Sequence, residues 1–132
     1  MGNLNKIDSS YFIGQAVIDV NTEENVPLGI IFQKGSLVVE CPWRIRKGQE
    51  IVLGETDCIS APERFSYNNV KKLLLSKKIL NISFDRELLF TMEFEENLTL
   101  ELFHASSYFE GWALRGDDGF DVFTLPGGEV CY

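Results

Sequence analysis

The residues that carry most enzyme chemistry are scarce in this 132-residue chain, which has one histidine, His104, and three cysteines, Cys41, Cys58 and Cys131. The cysteines are odd in number and widely spaced, so they compose neither a metal-ligand pair nor a disulfide framework. Each reads as a small core or strand-edge residue. With no second histidine and no cysteine close to it, His104 supports neither a zinc site nor a Cys–His nucleophile. A non-enzymatic protein with no metal and no cofactor is expected. No run approaches the roughly 18 apolar residues of a membrane-spanning helix. The first residues lack the basic segment and long apolar core of a secretory signal, and Lys6 stands where myristoylation expects Ser or Thr. These absences point to a cytoplasmic protein.

Charge is present, but lopsided. Twenty acids against twelve bases give a net charge of −8. Such a chain is repelled by nucleic acid and by anionic membranes and is steered toward a basic partner. With 45% apolar residues it has the composition of a folded domain rather than a disordered acidic tail, and its length suits a single domain, 1–132.

Residues 88–103 carry the strongest local pattern. Phe90, Met92 and Phe94 alternate with Thr91, Glu93 and Glu95, and Leu98, Leu100 and Leu102 alternate with Thr99 and Glu101. Period-2 alternation on two arms around a break predicts a hairpin with one buried face. A two-residue loop would set Phe94 opposite Thr99, on the wrong face. A three-residue loop of Glu95, Glu96 and a left-handed Asn97 pairs 94 with 98, 92 with 100 and 90 with 102. The other face then holds Glu93 against Thr99 and Thr91 against Glu101, polar and acidic.

Further strands are predicted around residues 11–20, 28–32, 37–41, 43–46, 50–53 and 79–84. Gly35 is expected to supply a positive φ in the 33–36 turn. Residues 55–64 read as irregular. Ser66 stands as an N-cap before Val70, Leu73 and Leu74, which predicts a short helix over 67–76 with Lys71, Lys72, Lys77 and Lys78 outward. Asp85, Arg86 and Glu87 read as a turn. The two halves resemble each other: strand, strand, tight turn, strand, then Trp-x-aliphatic-Arg, ending at Trp43–Arg46 and at Trp112–Arg115. The fold class expected is α+β, mostly antiparallel β. Two related β-meanders of about nine or ten strands in all, 10–54 and 78–132, are joined by one short helix at 66–76, in one sheet or two packed sheets. Trp43 and Trp112 read as equivalent core anchors, with Arg44, Arg46 and Arg115 outward or paired with strand carboxylates.

Asp117, Asp118 and Gly119 form a strong turn signal, and Pro126-Gly127-Gly128 breaks the strand after it. The segment 125–130 lacks the lysine, the Ser/Thr and the following helix of a phosphate-binding loop. The series Tyr108, Glu110, Trp112, Leu114, Gly116, followed by Pro126–Glu129, resembles a family of small uncharacterised bacterial domains. Those domains are similar in size, acidity and lack of catalytic residues to the immunity proteins of polymorphic toxin systems. The resemblance implies a bacterial β-rich cytoplasmic domain.

The expected function is protein binding without catalysis, specifically immunity-type inhibition of a basic protein such as a toxic nuclease. The expected contact set is Glu93, Glu95, Glu96, Glu101, Asp117, Asp118 and Asp121, with Tyr108 and Phe109 as aromatic anchors. Two other readings are a small-molecule-binding barrel or sandwich lined by Trp43, Trp112, Phe90 and Phe94, and a domain that forms a homodimer through exposed strand edges. A carboxylate pair for glycoside cleavage, Glu93 with Glu101, ranks last.

Overall fold

In a computed structural model, residues 7–84 and 89–132 are described. The strands are β1 (Val17–Asn21), β2 (Leu28–Phe32), β3 (Gly35–Val39), β4 (Trp43–Lys47), β5 (Glu50–Gly54), β6 (Ile79–Phe84), β7 (Leu89–Phe94), β8 (Leu98–Phe103), β9 (Trp112–Gly116), β10 (Asp121–Thr124) and β11 (Val130–Cys131). Two short helices, α1 (Glu55–Ser60) and α2 (Tyr67–Leu74), separate β5 from β6. All pairings are antiparallel. They build a six-stranded sheet, β1-β2-β3-β9-β10-β11, and a five-stranded one, β5-β4-β8-β7-β6. The apolar faces of the two sheets share one core.

The hairpin at 88–103 has the register its alternation dictates: Phe90 faces Leu102, Met92 faces Leu100 and Phe94 faces Leu98. Its loop is Glu95–Asn97, with both Glu96 and Asn97 left-handed at φ 63°. Ser66 caps α2 as its sequence suggests. Its Oγ accepts from Asn68 N–H at 3.3 Å, and Asn69 Oδ1 accepts from Ser66 N–H at 2.9 Å. The helix stops at Leu74, short of the expected residue 76, and Ser76 follows with φ 70°.

Two expectations are corrected. Residues 55–60 are helical rather than irregular, the turn fixed by Asp57 Oδ2 accepting from Gly54 N–H at 2.8 Å. Gly35 lies inside β3 opposite Phe32 and has no positive φ. A Cβ there would lie 2.5 Å from the Arg115 carbonyl and 2.8 Å from the Phe12 ring, so glycine serves close packing between strands instead. The expected turn at residues 85–87 lies outside the described residues.

The resemblance between the halves has a structural counterpart with an exchange in it. The set of pairings β1-β2-β3 recurs as β6-β7-β8, and β4-β5 recurs as β9-β10. Each carries a register shift at the matching place, between Val17 and Asp19 and between Ile79 and Asn81. Yet β3 pairs with β9, and β8 with β4, so the six-stranded sheet takes three strands from each half and the five-stranded sheet takes β4 and β5 from the first half and β6, β7 and β8 from the second. The two tryptophans occupy equivalent sites, Trp43 opposite Leu102 and Trp112 opposite Val39, and both are buried.

The halves meet where Ala16 bridges Lys78, with Gly14 N–H donating to Ile79 O at 2.8 Å. Four turns gather at this junction end. Asp117 N–H donates to Lys34 O, Gly48 N–H to Asn97 O, each at 3.0 Å, and Glu95 N–H to Lys78 O at 3.1 Å. The opposite end lies one strand length away, roughly 16 Å for five residues. It carries residues 22–27, 40–42, α1 with 61–66, 104–111 and 125–129.

Candidate docking surface at the loop end

The residues expected to form one contact face do not lie together. Glu93 is exposed on the outward face of the five-stranded sheet. Glu95 and Glu96 sit at the junction end among lysines, where Glu95 Oε1 accepts from Lys78 N–H at 2.8 Å and Glu96 pairs with Lys77 at 3.4 Å. Asp117 and Asp118 are in the turn beside Lys34. Asp118 Oδ1 accepts from Phe120 N–H at 3.0 Å, and Asp121 pairs with Arg115 at 3.1 Å. Tyr108 and Phe109 are at the other end of the molecule.

Glu101 is not on an acidic surface. One carboxylate oxygen, Oε1, accepts from Arg44 Nε at 2.7 Å and from Arg46 Nε at 2.6 Å, and the Glu101 side chain is only 7% exposed. Arg44 in turn lies over the Phe103 ring, 4.8 Å from its centroid. Burial opposes ionisation of Glu101, but hydrogen bonds and attraction from the two guanidinium groups outweigh it and hold the carboxyl below the usual glutamate range. A glycosidase acid needs the reverse shift.

Of the rings named as cavity walls, all four are buried, and Trp112 and Phe90 pack on each other. Trp112 lies 4.7 Å from Phe90 and stacks on Phe84 at 5.7 Å, and the pocket beside them holds about 10 Å³, at most a single water. Burial pushes the Cys41 thiol up to about 12, with Glu55 adding to the effect, and burial also raises Cys58. Neither thiol is poised as a nucleophile.

Residues 104–111 form the best-built loop of the chain, and sequence pattern did not reveal how. Thr124 is buried at the end of β10, and its Oγ1 accepts from Gly111 N–H at 3.0 Å and from Trp112 N–H at 3.1 Å. With both lone pairs occupied, its hydroxyl proton is donated to His104 Nδ1, 2.9 Å away. His104 Nε2 lies 2.9 Å from Ser106 O, a carbonyl that can only accept, so Nε2 carries the ring proton. The same Ser106 O accepts from Gly127 N–H at 2.9 Å. Ser106 Oγ accepts from the N–H groups of Tyr108 and Phe109, both at 3.0 Å. Gly111 has no room for a Cβ, which would meet the His104 ring and Thr124 Oγ1. His104 is thus a strut of this loop.

What the loop holds out is aromatic. Tyr108 is 83% exposed and Phe109 is 73% exposed, and with Glu40, Glu110 and Pro126 they line an open depression of about 410 Å³. The surrounding loops and α1 carry Glu23, Glu24, Glu40, Glu55, Asp57, Glu63, Glu110 and Glu129 against one described base, Arg64. None of these carboxylates forms an ion pair with a described residue. No family model, curated protein or solved structure matches this chain.

Proposed function

We propose that the chain acts by binding a basic protein at its loop end, in the manner of an immunity-type inhibitor of a basic toxin such as a nuclease, without catalysing a reaction. The observation that carries this reading is the exposed Tyr108–Phe109 pair, presented by a hydrogen-bonded loop beside Glu40 and Glu110, neither of which forms an ion pair with a described residue. Large exposed aromatics on a fixed backbone lose little entropy on docking and typically dominate protein interfaces. Unpaired surface acids around them steer a cationic partner and exclude anionic ones. No helix of the described residues is long and apolar enough to cross a membrane. A cytoplasmic site of action forms part of the proposal.

The test is capture of co-expressed neighbouring gene products by the tagged chain, followed by titration calorimetry with the captured protein. One basic protein bound at stoichiometric amount, and lost in the double variant Tyr108→Ala, Phe109→Ala, supports the reading. Binding that survives this variant but fails with Glu93→Lys and Glu96→Lys returns the contact to the hairpin.

A second reading, homodimerisation, is favoured by β5. It is an edge of its sheet, with Ile51 59% and Val52 40% exposed. Edges of this kind pair with further strands. Light-scattering mass in solution separates it from a monomeric inhibitor.

A further inference from the structure

We propose that the groove between the β1–β2 loop and the α1–α2 segment receives a lysine or arginine side chain of the basic partner. This rests on the reading of the loop end as a docking surface, but the groove is lined by different residues from the Tyr108–Phe109 depression. It has a volume of about 540 Å³. At about 30 Å³ per water that is room for roughly eighteen waters, ample for an alkyl chain and its charged head.

One wall carries Glu23 and Glu24, and the other carries Glu55, Ile59, Phe65 and Tyr67. The backbone explains why these meet. Glu55 opens α1 directly after β5, and the Ser66 cap fixes the start of α2 between Phe65 and Tyr67. Glu55 is partly buried, and no described hydrogen bond or cation reaches its carboxylate. Burial alone raises its carboxyl above the usual glutamate range. An incoming cation would relieve that cost. Phe65 already carries a guanidinium over its ring, Arg64 at 5.2 Å, so these rings accept a cation in this setting. Ile59, 70% exposed, offers apolar contact to an alkyl stem. Carboxylates at the rim with aromatic and aliphatic walls complement a long side chain ending in positive charge. They do not complement an anion or a nucleic-acid backbone.

The experiment titrates the intact ¹⁵N-labelled chain with the blocked peptide acetyl-Gly-Arg-Gly-Arg-Gly-amide at near-physiological salt. The control is the same peptide with citrulline for arginine, which keeps the shape and removes the charge. The expected result is saturable shifts confined to residues 22–26 and 55–67, absent with citrulline. Glu55→Gln should weaken binding by about tenfold or more, as loss of a charge-assisted contact does, while resonances elsewhere stay in place and report an intact fold. Arg64→Ala, which removes the only described cation of this end, should tighten it. Equal binding by Glu55→Gln, or non-saturating shifts at every surface carboxylate, overturns the groove proposal. Shifts confined to residues 40 and 106–111 overturn the groove but leave the docking reading standing. No shift at either place counts against both.

Discussion

The two ends of this molecule handle charge in opposite ways. At the junction end, Lys34, Lys47, Lys77 and Lys78 are interspersed with Glu95, Glu96, Asp117 and Asp118, and carboxylates are used by neighbouring backbone and lysines. At the loop end, eight acids face one described base; none forms an ion pair with a described residue, and the Asp57 carboxylate alone has a described bond to backbone, at the start of α1. The first arrangement closes turns. The second leaves carboxylates solvated in the same end of the molecule as two exposed aromatic rings, the arrangement on which the docking proposal rests. On the outward face of β8, Glu101 is likewise compensated, its Oε1 shared by Arg44 and Arg46.

The sharpest way to break this contrast is to remove the brace of the loop end. Thr124→Val leaves Gly111 N–H and Trp112 N–H without their acceptor. At about 1–3 kcal/mol for each of the two buried unsatisfied groups, a loss of about 2–6 kcal/mol is expected. Urea unfolding measures it, with Thr124→Ser recovering most of the loss. The double variant Tyr108→Ala, Phe109→Ala should do the reverse. Stability should stay within about 0.5 kcal/mol of the wild type, while affinity for the partner falls by about 2 kcal/mol or more.

Glu101→Gln comes next, at about 1–2 kcal/mol, because both arginines are partly exposed and solvent screens the pair. The pH dependence has a definite sign. The folded carboxyl titrates below its unfolded value, so its contribution is present above about pH 4.3 and is lost as pH falls through the folded value. Acid unfolding of Glu101→Gln should lack that component. The smallest effect belongs to Lys77→Ala, which removes one exposed pair with Glu96 at the junction end. It should change stability by less than about 1 kcal/mol and leave partner affinity untouched. A large affinity loss there would place the docking surface at the wrong end.

Local pattern read the strands well, because burial on one face imposes a period that any hairpin must respect. The register of Phe90, Met92 and Phe94 and the cap at Ser66 follow from neighbours in sequence. Alternation says which face a residue occupies but not which strand lies beside it. The exchange of β4 and β9 between halves was therefore invisible; that Arg44 and Arg46 pair with a strand carboxylate was legible, but not that it is Glu101, 57 and 55 residues away. Alternation is also silent about ends. Glu95, Asp117 and Tyr108 could be grouped from composition alone, yet the last lies across the molecule from the other two. The brace of His104 and Thr124 spans 20 residues through single side-chain atoms, and nothing periodic marks it.

The crossing of β3 to β9 and of β4 to β8 also governs how the chain comes into being. During synthesis the first half emerges with β3 and β4 each lacking a neighbour on one side; the five-stranded sheet waits for β8 to leave the ribosome, and the six-stranded sheet for β9 to β11. No cut between the halves yields two self-sufficient domains, and long-range closure of this kind makes folding late and all-or-none. For most of its synthesis the nascent protein therefore displays open strand edges to its neighbours on the same message. Residues 1–54 carry six acids and five bases, so most of the net charge of −8 that keeps finished chains apart is not yet built while those edges are open.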